Sequence, residues 1–133
     1  MKPHVLDASA VIAYLGKEAG HERMIDLLEM GGDGRAALLM TAVTWGEVLY
    51  AVENAHGAQT REAVEMTLSS HPIGIVAVGQ ALAQRAARLK SSKKLPYLDC
   101  FVAALAQEHG ATLVTCDRDF ERVGKDVRID WLR

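Results

Sequence analysis

The chain has 133 residues, half of them hydrophobic, which fits one compact domain over residues 1–133 with a real core. Its net charge of −2, from 15 basic and 17 acidic residues, excludes a uniformly basic nucleic-acid coat, although charge distribution matters more than the sum. No apolar stretch approaches the ~20 residues that span a bilayer. No charged-then-apolar leader opens the chain, since Asp7 interrupts the first hydrophobic run. Cys100 and Cys116 form no CxxC pair and no zinc-finger spacing, so they read as free thiols in a reducing cytoplasm.

Residues 3–7 read as a buried strand. Ser9 is a fitting cap for a short helix over residues 10–15 that Gly16 ends. Met24, Leu27 and Leu28 recur at helical spacing and predict a helix over residues 21–30, stopped by the Gly31-Gly32-Asp33-Gly34 turn. A strand follows at residues 37–41, and then a helix over residues 43–55 with Trp45, Val48, Leu49 and Val52 on its apolar stripe. A further helix covers residues 58–69, and residues 73–78 read as a third strand. The alanine-rich segment 80–89 is helical, and Lys90-Ser91-Ser92-Lys93-Lys94 reads as a basic loop. Pro96 stops any helix before it and suits the opening of the next, over residues 97–109, which Gly110 ends. Residues 113–115 give the fourth strand and 127–129 a fifth at an edge. Alternating strands and helices indicate an α/β three-layer sandwich: a mostly parallel sheet of four to five strands with helices on both faces.

Four carboxylates occupy telling places in this plan. Asp7 and Asp117 each follow a strand, and ligands of open parallel sheets bind beyond the carboxyl ends of strands. Glu47 and Asp99 lie near the starts of two helices, which point toward the same edge. Each acid has an ordinary alternative. Asp7 and Asp117 suit turns or caps, Glu47 completes a capping-box spacing with Thr44, and Asp99 is a first-turn acid favoured by the helix dipole. Taken together, four anions repel one another unless a cation joins them. Carboxylates with hydroxyls, and no histidine or cysteine cluster, suit Mg²⁺ or Mn²⁺. Such sites commonly cut or transfer phosphate esters. Ser9 and Thr115 are placed to orient the carboxylates.

The segments that carry these residues resemble one family throughout. Val5-Leu6-Asp7-Ala8-Ser9-Ala10-Val11-Ile12 is similar to the opening of PIN domains. Val43-Thr44-Trp45-Gly46-Glu47-Val48 resembles their glutamate-bearing helix. Leu98-Asp99-Cys100-Phe101-Val102-Ala103-Ala104-Leu105-Ala106 resembles their third acidic motif, and Leu113-Val114-Thr115-Cys116-Asp117-Arg118-Asp119-Phe120 their fourth. The compact length makes the chain most similar to VapC-type toxins of toxin–antitoxin pairs. That resemblance implies a Mg²⁺- or Mn²⁺-dependent endoribonuclease, usually a homodimer, inhibited by a VapB-type antitoxin. It assigns the metal-binding catalytic acids to Asp7, Glu47, Asp99 and Asp117, and auxiliary roles to Ser9 and Thr115. Asp119 matches a position that is acidic in some members.

Arg85, Arg88, Lys90, Lys93 and Lys94 form the densest basic group, read either as a solvated face or as contacts to RNA phosphates. The five histidines are scattered, with no HExxH context, and suit surface or capping roles. Trp45 and Trp131 read as packing residues. Tyr14, Leu15 and Leu28 are candidates for contact with an antitoxin helix, although core packing accounts for them equally. Two rival functions remain. One is a small-substrate metal-dependent phosphohydrolase with Asp7 as nucleophile, which the serine two positions on disfavours because an Asp-x-Asp pair would be expected. The other is a non-cleaving RNA- or protein-binding module.

Overall fold

A computed structural model describes all residues 1–133. Five strands form one sheet: β1 (Lys2–Leu6), β2 (Ala36–Thr41), β3 (Ile73–Val76), β4 (Thr112–Thr115) and β5 (Ile129–Trp131). Their spatial order is β3-β2-β1-β4-β5, and every neighbouring pair is parallel. Six α-helices connect them: α1 (Ala8–Leu15), α2 (His21–Gly32), α3 (Ala42–His56), α4 (Ala58–Ser69), α5 (Gln80–Lys93) and α6 (Tyr97–His109). A 3₁₀ helix spans Arg118–Val123.

The expected α/β sandwich is therefore the observed one, and strand alternation explains its two cores. Val5 and Leu113 face a cluster with Leu82, Leu89, Phe101 and Leu105, built on α5, α6 and the 3₁₀ helix. Leu6 and Val114, one residue on, face the opposite cluster with Val11, Met24, Leu27 and Val48 from α1, α2 and α3. Successive strand residues point to opposite faces, so a strand buried on both reads as a continuous apolar run. The winding reverses at β1. From β1 the chain adds β2 and β3 on one side, then crosses to add β4 and β5 on the other. The crevice at the β1/β4 carboxyl edge is thus the sheet's switch point.

Several boundaries differ from expectation for local reasons. Asp7, not Ser9, caps the first helix; its side chain accepts the Ser9 N–H and the helix begins at Ala8. Gly31 and Gly32 lie inside α2, where a Cβ on Gly31 would crowd Leu38 and Pro72. The expected basic loop is largely the last turn of α5, which runs to Lys93. Thr41 caps α3 by accepting the Thr44 N–H at 2.9 Å, so Glu47 is free of any capping role. The last strand is Ile129–Trp131 rather than 127–129. His4 is buried in β1 rather than on the surface, and burial lowers its pKa. His21 and His71 flank Tyr14, whose hydroxyl meets His71 Nε2 at 3.1 Å. Trp45 packs on one core, and Trp131 packs on the other beneath the Arg118 guanidinium.

Two glycines are expected to respond oppositely to alanine. Gly46 lies exposed inside α3 with open space where its Cβ would stand. Gly46→Ala should raise unfolding free energy by about 1 kcal/mol. Gly20 has φ +96°, and a Cβ there would lie 2.6 Å from Leu132 Cβ. Gly20→Ala should lower stability by roughly 2 kcal/mol. Chemical denaturation of both variants checks the pair.

Candidate metal centre

Four elements deliver the acids to one edge. Asp7 follows β1 directly, and its backbone N–H continues the ladder by donating to Val114 O at 3.0 Å. Asp117 follows β4 by two residues and caps the 3₁₀ helix, accepting the Asp119 N–H at 2.9 Å. Glu47 stands in the second turn of α3. Asp99 stands in the first turn of α6, just after the extended Pro96 that opens it. Asp99, Asp117 and Asp119 each offer a carboxylate oxygen within 4.8 Å of the others. Asp7 and Glu47 complete the cluster electrostatically, since both acids and Asp117 bear on Asp99.

Asp7 is held by a small hydroxyl lattice. Ser9 Oγ donates to Asp7 Oδ2 at 2.7 Å, and Thr115 Oγ1 donates to the same oxygen at 2.9 Å. Each hydroxyl in turn accepts a backbone N–H at 2.9 Å, Ser9 from Cys116 and Thr115 from Asp117. Those amides occupy hydroxyl lone pairs, which leaves each single proton to point at Asp7. The two hydroxyl oxygens lie 3.0 Å apart across the β1/β4 switch point. All these bonds fall on Oδ2, which leaves Oδ1 without a side-chain partner.

The electrostatics describe a site short of positive charge. Burial raises the pKa of Asp7, although the Ser9 and Thr115 hydroxyls pull it back. Burial, then Asp7 and Asp117, raise Glu47. Burial followed by four neighbouring carboxylates pushes Asp99 up to about 7. Glu47 Oε1 is buried with no hydrogen-bond partner, and a buried carboxylate oxygen left unpaired is costly. An all-oxygen donor set with one orphaned oxygen fits a hard divalent cation. No histidine joins the cluster. Cys116 Sγ turns away toward Ser9 O, at 3.9 Å.

Two members of the expected basic group are engaged by neighbours within the fold. Lys93 pairs with Asp126 at 3.1 Å. Lys90 Nζ donates to Leu95 O at 2.9 Å. Arg85 and Arg88 are exposed along α5, and Lys94 caps its C-terminal end. Arg122, which sequence patterning did not single out, lies on the 3₁₀ helix one turn beyond Asp119. Of the positions considered for a partner helix, Leu28 is core, while Tyr14 and Leu15 are half-buried. Leu15 lines a cavity of about 280 Å³ with Ile12, Val52 and Val64.

Raising a carboxyl pKa on folding has a definite sign. The folded state holds the Asp99 proton to about pH 7, whereas the unfolded chain releases it near 4. Stability of the metal-free protein should therefore be greatest below that window and decline as pH rises through it. In EDTA the melting temperature is expected to fall between about pH 4 and 7. Asp99→Asn should flatten that fall, and Mn²⁺ should reverse it in the native chain. A pH-independent melting temperature would contradict the crowding of these acids.

Comparison with known proteins agrees with this geometry. The PIN domain family model matches residues 4–126. No curated protein matches the sequence. Among solved structures, DNA-bound VapBC from Salmonella typhimurium is similar with TM-score 0.77 at 18% identity, over 100% of both chains. A toxin–antitoxin complex from Klebsiella pneumoniae gives 0.75 at 20%, over 98% of each chain. VapC20 of Mycobacterium tuberculosis, described as a sarcin–ricin-loop-cleaving toxin, gives 0.73 at 16%, over 91% of this chain and 95% of that one. With a match across nearly its whole length, and with its acids gathered at the switch point of a parallel sheet, the chain belongs to the PIN domain family.

Proposed function

We propose that this protein is a divalent-metal-dependent endoribonuclease of the VapC type, the toxin of a toxin–antitoxin pair. The observation that carries the reading is the convergence of Asp7, Glu47, Asp99 and Asp117 on one crevice, with the orphaned Glu47 Oε1 within it. Asp119 joins the same set through its approach to Asp99 and Asp117. These residues would hold Mg²⁺ or Mn²⁺, which when bound supplies positive charge and Lewis acidity to a phosphodiester and its attacking water.

The chain's own groups supply positioning. Ser9 and Thr115 lock the Asp7 carboxylate through Oδ2, which leaves its other oxygen available to a cation. The strand ends set the separation of Asp7 and Asp117, and α3 and α6 bring Glu47 and Asp99 onto the same opening. Repulsion among the acids keeps an empty cleft from closing on itself and favours cation binding. Asp7 is only 3% exposed and tied at Oδ2, a poor placement for in-line attack on a small phosphate ester. That disfavours the phosphohydrolase alternative, and intact acids disfavour a module that binds without cutting.

A VapB-type antitoxin is the inhibitor proposed here, and a homodimer the working assembly. The toxin–antitoxin complexes among the similar structures support that partner class. No helix is long and apolar enough to cross a membrane, which is compatible with the cytoplasmic setting proposed for RNA cleavage.

Labelled RNA with purified protein tests the activity. Cleavage should require Mg²⁺ or Mn²⁺ and stop in EDTA. Asp7→Asn or Asp99→Asn should slow it by about 10³-fold while the fold persists. Ser9→Ala should cost roughly 10- to 100-fold. Full activity in either aspartate variant would remove the assignment, and binding without any cut would favour the non-cleaving module.

A further inference from the structure

The 3₁₀ helix Arg118–Val123 has three residues per turn, so side chains three apart eclipse. Its residues sort accordingly. Phe120 and Val123 are both fully buried. Arg118 and Glu121 face outward and pair at 3.7 Å. The third pair is Asp119 and Arg122, opposite charges on one face that do not meet. Asp119 turns to Asp99 and Asp117. Arg122 reaches across to the end of α5, where Nη1 donates to the Lys94 carbonyl at 2.9 Å. Arg122 and Lys94 form an ion pair with no carboxylate.

Lys94 is unusual in its backbone. It caps α5 at φ 60° and ψ 30°. α6 ends in nearly the same left-handed conformation, φ 57° and ψ 35°, and there the residue is Gly110. A lysine bears a steric cost in this conformation that a glycine does not. The corner needs only the backbone, yet the chain keeps a charged, exposed side chain on it. Lys17, just after α1, is the chain's other left-handed residue that is not glycine, at φ 52°; what sets Lys94 apart is that its carbonyl receives Arg122. The corner leads within five residues to Asp99, and Arg122 lies one turn from Asp119. Both cations thus stand on segments that carry acids of the cleft, tied to each other by the Arg122–Lys94 bond.

We propose that Arg122 and Lys94 form a two-point clamp for the sugar–phosphate backbone of the RNA strand beside the scissile bond. The proposal rests on the nuclease reading above. Four clustered acids repel a polyanion, and unpaired cations at the rim offset that repulsion without neutralising the acids themselves. Arg122 spends one donor on Lys94 O, and its remaining donors can grip a phosphate in forked geometry. The same bond pins the corner from which the Lys94 ammonium projects.

The test uses the full chain and a fluorescein-labelled single-stranded oligoribonucleotide, with Mn²⁺, across about 50 to 200 mM salt. Arg122→Gln and Lys94→Gln should each raise KM roughly tenfold. Each should also make the plot of log(kcat/KM) against log salt shallower by about 0.7. Mn²⁺ affinity by calorimetry should stay at the native value. Lys94→Gly, which relieves the backbone, should melt at or above the native temperature yet lose as much RNA affinity as Lys94→Gln. Native KM and salt slope in Arg122→Gln and Lys94→Gly would overturn the clamp, including the case where only binding of an acidic protein partner is lost. Weakened Mn²⁺ binding in Arg122→Gln would also overturn it, since the residue would then merely support the cleft. If the native chain itself cuts no RNA with Mn²⁺, the nuclease reading fails first, a result distinguishable from failure of the clamp alone.

Discussion

Mutual repulsion among buried carboxylates is the constraint around which this protein is arranged. Asp7, Glu47 and Asp99 are each driven toward their protonated forms by burial and, for Glu47 and Asp99, by one another. Left to local energetics, such groups would swing apart into water. The parallel sheet prevents this, because the ends of β1 and β4 fix Asp7 and Asp117 with hydrogen-bonded backbone on both sides. Strain is thus stored at the crevice and supported by two apolar cores beneath it. A cation held there would relieve it, so folding and metal affinity are expected to oppose each other at these positions.

The hydroxyls of Ser9 and Thr115 make the arrangement directional. A buried aspartate with two free oxygens would rotate, whereas one oxygen saturated by two hydroxyl donors presents the other in a single direction. Both hydroxyls are themselves oriented by amides of residues 116 and 117, so the strand-to-turn backbone after β4 sets the aim of a carboxylate after β1. The C-terminal segment extends that support. Leu132 N–H donates to Thr115 O, and Leu132 packs on Gly20 at the start of α2. Ile129–Trp131 is therefore both an edge strand and a brace on the residue that holds Asp7.

How much of this was legible in the sequence depended on the range of the interaction involved. Asp7 and Asp117 were legible because strand ends follow from apolar runs, and the switch-point rule then places both at one crevice. Asp99 was legible because Pro96 opens a helix whose apolar stripe is regular to Gly110. The basic group was less so. Its density along residues 85–94 is a local property, but pairing of Lys93 with Asp126 and of Lys90 with Leu95 O depends on neighbours that only the fold supplies. The caps shifted for a similar reason: Ser9 has the right chemistry for a helix start, but its hydroxyl is engaged by Asp7 and the residues after β4. Asp119 entered only through the family resemblance, and Arg122 was missed, because a 3₁₀ helix has a period that α-helical and strand templates do not test.

The asymmetry of the cleft follows from these same contacts. On the α1 side Asp7 is buried and tied to the Ser9 and Thr115 hydroxyls. On the side of α5 and the 3₁₀ helix, Asp119 and Arg122 share a face but part company, the acid inward and the base outward to Lys94 O. A cleft that is only acidic would attract cations and repel nucleic acid alike. On the proposed reading, separating the charges by one helical turn would let the interior hold a divalent ion while the rim receives a phosphate. Part of the cost is carried by the backbone of Lys94, which holds at the end of α5 the left-handed conformation that Gly110 holds at the end of α6.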